Sequence, residues 1–171
     1  MSSGIICKIR LDPFYQEFLR GYYENYEIVF KFPREDADEL EIARKFNRLL
    51  MAPPCDYKPI KDDQNTFLVE VPYFKDKDPF WNNYISTIRN ESLANAIHRA
   101  WRAQFHEKMD EFRNLGFEFK DCIYLYMDEF RISACFYDRL IKDLQRWRSI
   151  KRNKKYRQKE HRLTMAICPS R

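Results

Sequence analysis

The stretch MDEFRISACFYDRLIK, from Met127 to Lys142, decides how the second half of this chain is organised. It predicts the end of one helix, a tight turn at residues 131–133, and a second helix from Ala134. Phe130 is expected to close the first helix, and Ile132 is expected to fill the gap between the two. The stretch therefore predicts a pair of packed helices joined by a turn of three residues.

The second helix has one apolar face and one polar face. Apolar residues recur at three- and four-residue steps, which predicts that they face the body of the protein; they are Tyr137, Leu140, Ile141, Leu144 and Trp147. The opposite face is predicted to carry Ala134, Cys135, Asp138, Arg139, Lys142 and Asp143. Ser133 is expected to cap the helix through its hydroxyl, which is worth about 1 kcal/mol.

A helix pair of this kind is one way to place a helix in a DNA major groove. On the polar face, Arg139 and Lys142 have the chemistry to bond guanine O6 and N7 or a phosphate, and Asp138 has the chemistry to accept from cytosine N4. A helix N-terminus capped by Ser133 also suits a phosphate.

A strongly basic segment follows directly. Residues 146–162 contain nine Lys or Arg and one acid, whereas residues 1–145 carry a net charge of −4 within a total of +5. This asymmetry predicts an anionic partner at the C-terminal end. Tyr156 lies within the segment, where it could stack on a base or a ribose. The residues predicted to contact DNA are Ser133, Ala134, Asp138, Arg139, Lys142, Arg146, Arg148, Lys151, Arg152, Lys154, Lys155, Tyr156 and Arg157.

The segment from Ile123 to Lys142 resembles the general helix-turn-helix pattern of bacterial and phage DNA-binding proteins. It departs from that pattern at two positions: Arg131 stands where glycine is usual and requires a left-handed backbone, and Met127 stands where a small residue is usual. The chain as a whole loosely resembles uncharacterised proteins of bacteriophages and mobile elements, a resemblance that implies genome handling as a setting and no known activity. Two packed helices of an ordinary bundle remain the alternative.

The remainder of the sequence predicts an α+β fold. Residues 1–80 form a small mixed α/β part with strands at 4–10, 27–32 and 66–72 and helices at 13–24 and 36–51. Residues 90–160 form an all-helical part with helices at 91–115 and 120–130, and residues 161–171 form a tail. Asp12 and Pro13 predict a capped helix start, and Gly116 predicts a left-handed helix end.

Catalysis and cofactor binding are poorly supported. With three glycines, the chain contains no phosphate-cradling glycine motif. Its five cysteines lack metal-ligand or disulfide spacing, and the eight-residue interval from His98 to His106 is too long for a metal pair on a helix. The sequence therefore predicts a protein that is not an enzyme and uses no cofactor or metal.

The predicted function is a DNA-binding protein of phage or mobile-element type, acting on duplex DNA. The alternative is an interaction or assembly factor whose helical half docks on a protein, with a homo-oligomer left open. A minor third hypothesis is a metal-dependent nuclease built on Asp62, Asp63 and Glu70, although Pro72 stands where such sites want a lysine. No apolar run reaches the ~18 residues of a membrane span and no secretion signal is recognisable, so a cytoplasmic location without membrane attachment is expected.

Overall fold

The computed structural model describes residues 4–33, 41–58, 60–73 and 77–167, with side chains described as far as Asn153. Within these residues the fold combines a two-stranded sheet with five α-helices. The elements are β1 (Ile6–Arg10), α1 (Pro13–Tyr22), α2 (Glu41–Leu49), β2 (Thr66–Glu70), α3 (Thr87–Asn114), α4 (Phe119–Glu129) and α5 (Tyr137–Ile167), with a 3₁₀ turn at Ala134–Phe136 before α5. The α+β class is therefore confirmed. No helix within the described residues has both the length and the apolar character that crossing a bilayer requires.

The two strands pair antiparallel, with Cys7 opposite Val69 and Ile9 opposite Phe67. These four side chains are buried, and their neighbours along each strand are more exposed. The alternation is what a sheet with a single buried face requires. Strands were predicted at residues 4–10 and 66–72, and both are confirmed with slightly shorter bounds.

The strand predicted at residues 27–32 is wrong. In this segment Phe30 makes an isolated bridge to Val69, and its backbone N–H donates to the Leu68 carbonyl at 2.8 Å. The carbonyls of Glu27 and Ile28 accept from the Arg20 guanidinium instead of from a strand. The segment therefore pairs with β2 at Phe30 alone, although its apolar–polar alternation looks like that of a strand.

Helix α1 begins as predicted. The Asp12 carboxylate accepts from the backbone N–H of Phe14 at 2.9 Å, and Pro13 occupies the first turn. The helix ends at Tyr22, two residues earlier than predicted. Helix α2 is confirmed over Glu41–Leu49 and ends two residues earlier than predicted. The remainder of its predicted start, residues 36–40, lies outside the described residues.

One hydrophobic core joins the sheet, α1 and the helical half. The ring of Phe14 lies 5.0 Å from that of Trp101 on α3 and 5.3 Å from that of Phe136 in the 3₁₀ turn. Helix α3 contributes a buried row at three- and four-residue steps that includes Trp101 and Phe105. Its end is confirmed at Gly116, whose φ of +97° allows Phe117 to donate its N–H to the Phe112 carbonyl at 3.2 Å.

Candidate nucleic-acid interface

The turn between α4 and α5 has the predicted left-handed residue. Arg131 has a φ of +50°, and its guanidinium lies 4.4 Å from the centre of the Tyr26 ring. The following residue, Ile132, donates its N–H to the Met127 carbonyl at 2.8 Å, which closes α4 with a Schellman-type cap. Phe130 and Ile132 are both buried, as predicted. The turn therefore fixes the path of the chain from α4 towards α5.

The predicted role of Ser133 as a helix cap is wrong. Its side chain makes no capping hydrogen bond, because its hydroxyl donates to Glu17 at 2.6 Å and its backbone N–H donates to the other Glu17 oxygen at 2.7 Å. A 3₁₀ turn follows, so α5 begins at Tyr137 rather than at Ala134. Ser133 therefore ties the turn to α1. Ala134, in that 3₁₀ turn, and Asp138 in the first turn of α5 are exposed, as predicted.

Helix α5 packs against α4 through apolar and aromatic contacts. Leu140 and Leu144 are buried, and the Tyr137 ring stacks on that of Tyr124 with centres 5.1 Å apart. The inward stripe predicted from the sequence is therefore confirmed over these turns. The direction of this stripe determines which charged side chains of α5 remain at the surface.

A second row of α5 side chains, spaced every four residues, contacts α3. We call this row and its partners the α3–α5 ladder. Its members are Asp143, Trp147 and Lys151 on α5 and Arg102, His106 and Asp110 on α3.

Asp143 is the buried centre of the ladder, and its predicted exposure is wrong. One of its carboxylate oxygens lies 3.1 Å from the Arg102 guanidinium and the other lies 2.9 Å from Nε2 of His106. Burial by itself raises the pKa of Asp143, but the hydrogen bond from His106 and the positive charge of Arg102 outweigh it, so the pKa lies below its ordinary value. The ionised carboxylate therefore holds α5 against α3.

The lower part of the ladder joins stacked rings to an ion pair. The His106 and Trp147 rings are nearly parallel, with centres 4.5 Å apart. Lys151 lies 3.8 Å from the centre of the Trp147 ring and 2.7 Å from an Asp110 oxygen. Lys151, predicted to contact DNA, is therefore engaged with α3 in this structure.

Arg139, the main predicted base-reading residue, is also engaged with the body. Its guanidinium donates to the Asp12 carboxylate at 2.9 Å and lies 4.4 Å from the centre of the Phe14 ring and 4.7 Å from that of Tyr15. Asp12 is the same carboxylate that caps α1. Arg139 therefore does not project outward beside Lys142 as predicted, and it connects the starts of α1 and α5.

The other predicted cations of α5 fall into two groups. Lys142, Arg146 and Arg152 are exposed and make no ion pair among the residues that the structure describes. Arg148 is half-buried, with its guanidinium 3.9 Å from the centre of the Phe119 ring. Three cations are thus available to a polyanion over these turns, and they lie on the side of α5 that faces away from its buried stripe.

The rest of the predicted set lies further along the helix. The backbone of α5 continues to Ile167, but the side chains of Lys154, Lys155, Tyr156 and Arg157 lie outside the described residues. From Lys151 to the end of α5 the helix runs for roughly 24 Å. The basic segment is therefore an unbroken extension of the helix that carries the three exposed cations.

The carboxylates of the minor nuclease hypothesis are engaged with different partners. Asp62 pairs with Lys8 at 2.7 Å, and Glu70 lies 3.4 Å from Lys31. Asp63 accepts from the backbone N–H of Asn65 in a turn. Over the residues that can be described, no group of three or more His, Cys, Asp or Glu side chains has a metal-binding arrangement.

Sequence reasoning missed the anchoring role of the ladder. A usable signal was present, because positions 143, 147 and 151 and positions 102, 106 and 110 share a four-residue spacing. The outer members of the two sets also carry charges of opposite sign, Asp143 with Arg102 and Lys151 with Asp110. That spacing places side chains on one face of each helix.

Comparison of the chain with protein-family models, with curated proteins and with solved structures finds no match.

Proposed function

We propose that this protein binds nucleic acid, with duplex DNA as the expected form, through phosphate contacts along the outer side of α5 and its basic extension. The observation that carries the proposal is the exposure of Lys142, Arg146 and Arg152 on a helix that runs unbroken through the basic segment. Lysine and arginine in such an array neutralise phosphates and release counterions, which provides affinity without reading bases.

The contacts of α5 favour sequence-tolerant binding over base reading. Arg139 is held by Asp12 and two aromatic rings, and Ser133 is held by Glu17. Using Arg139 to read a base would require breaking its ion pair and exposing the rings it covers. The phosphate-binding set is therefore the exposed cations Lys142, Arg146 and Arg152, together with the basic residues that follow them in the sequence.

Fluorescence anisotropy of labelled duplexes at several salt concentrations tests the proposal. Replacing Lys142, Arg146 and Arg152 together by glutamine should weaken binding and reduce the magnitude of the log K against log salt slope by up to about 2.7, since each lost phosphate contact removes about 0.9. Two duplexes of unrelated sequence should bind with similar affinity. A single strand of the same length, measured in parallel, distinguishes a preference for duplex from binding to any strand.

A matched control removes the same charge elsewhere. Lys45, Arg48 and Arg99 lie around a groove between α2 and α3 and are not members of the α3–α5 ladder. Their combined replacement by glutamine should leave the affinity and the salt slope close to those of the unchanged protein. Equal losses in the two triple variants would show that net charge alone attracts DNA and would refute the assignment to α5.

A second candidate function, docking of another copy of the chain, is favoured by one observation. An apolar groove of about 250 Å³ between α4 and α5 is walled by Ile123, Ile141 and Leu144, with Lys120 and Arg148 among its lining residues. The acidic-leaning first 145 residues of a second copy complement these cations. Sedimentation velocity should then show a dimer that Ile141→Asp abolishes. A monomer at all concentrations would remove this candidate.

A further inference from the structure

A cavity lined by cations lies at the N-terminal end of α3, and Lys151 contacts the opposite end of that helix. It has a volume of about 420 Å³ and lies between the end of β1, residues 57–58 and 60–61, and the first turn of α3. The α3 residues from Thr87 to Arg102, which binds the Asp143 that adjoins Lys142, span roughly 22 Å. The cavity is thus separate from the proposed phosphate-binding side of α5. Its charged and aromatic lining residues are Arg10, Lys58, Lys61, Tyr57 and Tyr84.

The lining contains three cations and no carboxylate. The two acids that follow Lys61 in the sequence are engaged elsewhere: Asp62 pairs with Lys8 at 2.7 Å, and Asp63 accepts from the Asn65 N–H at 2.9 Å. Arg10, Lys58 and Lys61 make no ion pair among the residues that the structure describes. Three like charges around one concavity favour an anion in it.

The position of Arg10 is fixed by α3. Its backbone N–H donates to the side-chain oxygen of Asn90 at 3.0 Å, and its carbonyl accepts from the amide nitrogen of Asn90 at 2.7 Å. Both Arg10 and Asn90 line the cavity. These two bonds hold the end of β1 beside the first turn of α3, so the Arg10 guanidinium starts from a fixed backbone. A fixed backbone removes the main-chain part of the entropy that is lost when the side chain binds a ligand.

The aromatic wall is also held in place. The Tyr57 and Tyr84 rings meet edge to face with centres 4.9 Å apart. Tyr84 exchanges two backbone hydrogen bonds with Met51, at 2.9 and 3.1 Å, and Ile85 beside it is buried. The cavity therefore offers an aromatic and aliphatic surface next to its cations. A ligand with an anionic group and a planar ring would place the anion among the cations and the ring against the aromatic wall.

We infer that this cavity binds a phosphorylated nucleoside, with its phosphate among Arg10, Lys58 and Lys61 and its base against Tyr57 and Tyr84. Two sources supply this chemistry: a free mononucleotide and the 5′-phosphorylated end of a nucleic-acid strand. The inference stands on the residues of this cavity and does not depend on binding of DNA by α5.

Calorimetric titration of the full chain with each of the four ribonucleoside 5′-monophosphates tests the inference. At least one should bind saturably, and inorganic phosphate and the matching unphosphorylated nucleoside should each bind about tenfold more weakly, because each lacks one half of the contacts. Arg10→Gln and Lys58→Gln should each weaken the nucleotide about tenfold. Lys45→Gln on α2, the matched control, should leave binding unchanged.

Two further measurements distinguish the two sources of ligand and distinguish this cavity from the outer side of α5. A short oligonucleotide that carries a 5′-phosphate should compete with the bound mononucleotide if strand ends are the ligand, and the same oligonucleotide with a 5′-hydroxyl should not. If only free nucleotides bind, neither competes. The triple variant at Lys142, Arg146 and Arg152 should keep its nucleotide affinity. Absence of saturable binding by all four nucleotides, or equal affinity in Arg10→Gln, Lys58→Gln and the unchanged protein, would overturn the inference.

Discussion

The buried carboxylate of Asp143 gives the most direct test of how α5 is attached. Its side chain is 11% exposed, forms an ion pair with Arg102 at 3.1 Å and accepts a hydrogen bond from His106 at 2.9 Å. Hydrogen bonds to charged groups contribute about 1.5–3 kcal/mol each. An asparagine in its place would keep one neutral acceptor and would leave Arg102 unpaired, but solvent screens that guanidinium, whose side chain is 36% exposed. We therefore expect Asp143→Asn to lower the free energy of unfolding by about 2–3 kcal/mol.

The assay is urea unfolding followed by circular dichroism, with Asp138→Asn as the matched control. Asp138 is exposed in the first turn of the same helix, so its replacement should cost about 0.5 kcal/mol or less. If the two variants lose the same amount of stability, then the ladder does not hold α5 against α3 in solution.

The same pair of variants has a defined pH dependence. Because the pKa of Asp143 is lowered in the folded protein, the stability that its charge contributes is complete above the unfolded value, about 3.9, and is lost as the pH falls through the folded value. The difference in unfolding free energy between the unchanged protein and Asp143→Asn should therefore stay constant from neutral pH to about pH 5 and narrow below about pH 4. A difference that widened on acidification would contradict this assignment of charge.

Three further predictions address the contacts around α1 and α5. Arg139→Met should lower the free energy of unfolding in urea by about 1 kcal/mol, because the ion pair with Asp12 and the ring contacts are lost. DNA affinity should stay nearly unchanged, and a large loss of affinity would show that Arg139 contacts DNA. Gly21→Ala should cost about 1–3 kcal/mol, because a Cβ at Gly21 overlaps the Phe130 carbonyl; an unchanged midpoint would show that the two segments separate easily. Burial lowers the pKa of His98, so the free energy of unfolding should fall as the pH drops through the unfolded value, about 6.5. His98→Gln should reduce that fall, as measured by urea midpoints above and below this pH.

Local features of the fold were predictable because their causes lie within a few residues. Asp12 and Pro13 start α1, Gly116 ends α3, and Arg131 takes the left-handed backbone that the spacing of the turn demands. Each depends on hydrogen bonds within one turn of the chain. The burial of Phe130 was predictable for a related reason, since it follows the apolar stripe of α4.

Features that depend on distant partners were not predictable in this way. Ser133 bonds Glu17, which is 116 residues away, and this partner displaces the expected cap. Asp143 looks like a solvated residue until α3 places Arg102 and His106 beside it. The segment around Phe30 alternates between apolar and polar residues like a strand, but alternation alone does not reveal whether a partner strand is available for its backbone hydrogen bonds.

The four-residue spacing of the α3–α5 ladder limits its own length. Four residues exceed one helical turn by about 40°, so the contact row that starts at Asp143 has rotated roughly 80° about the axis of α5 when it reaches Lys151. A further step would turn it away from α3, so the ladder can fix only the first few turns of a long helix. Adding one residue after Lys151 would then re-aim the downstream charges by about 100° with the anchor intact. The number of residues between the ladder and the basic extension of α5 therefore determines which way the charges of that extension face.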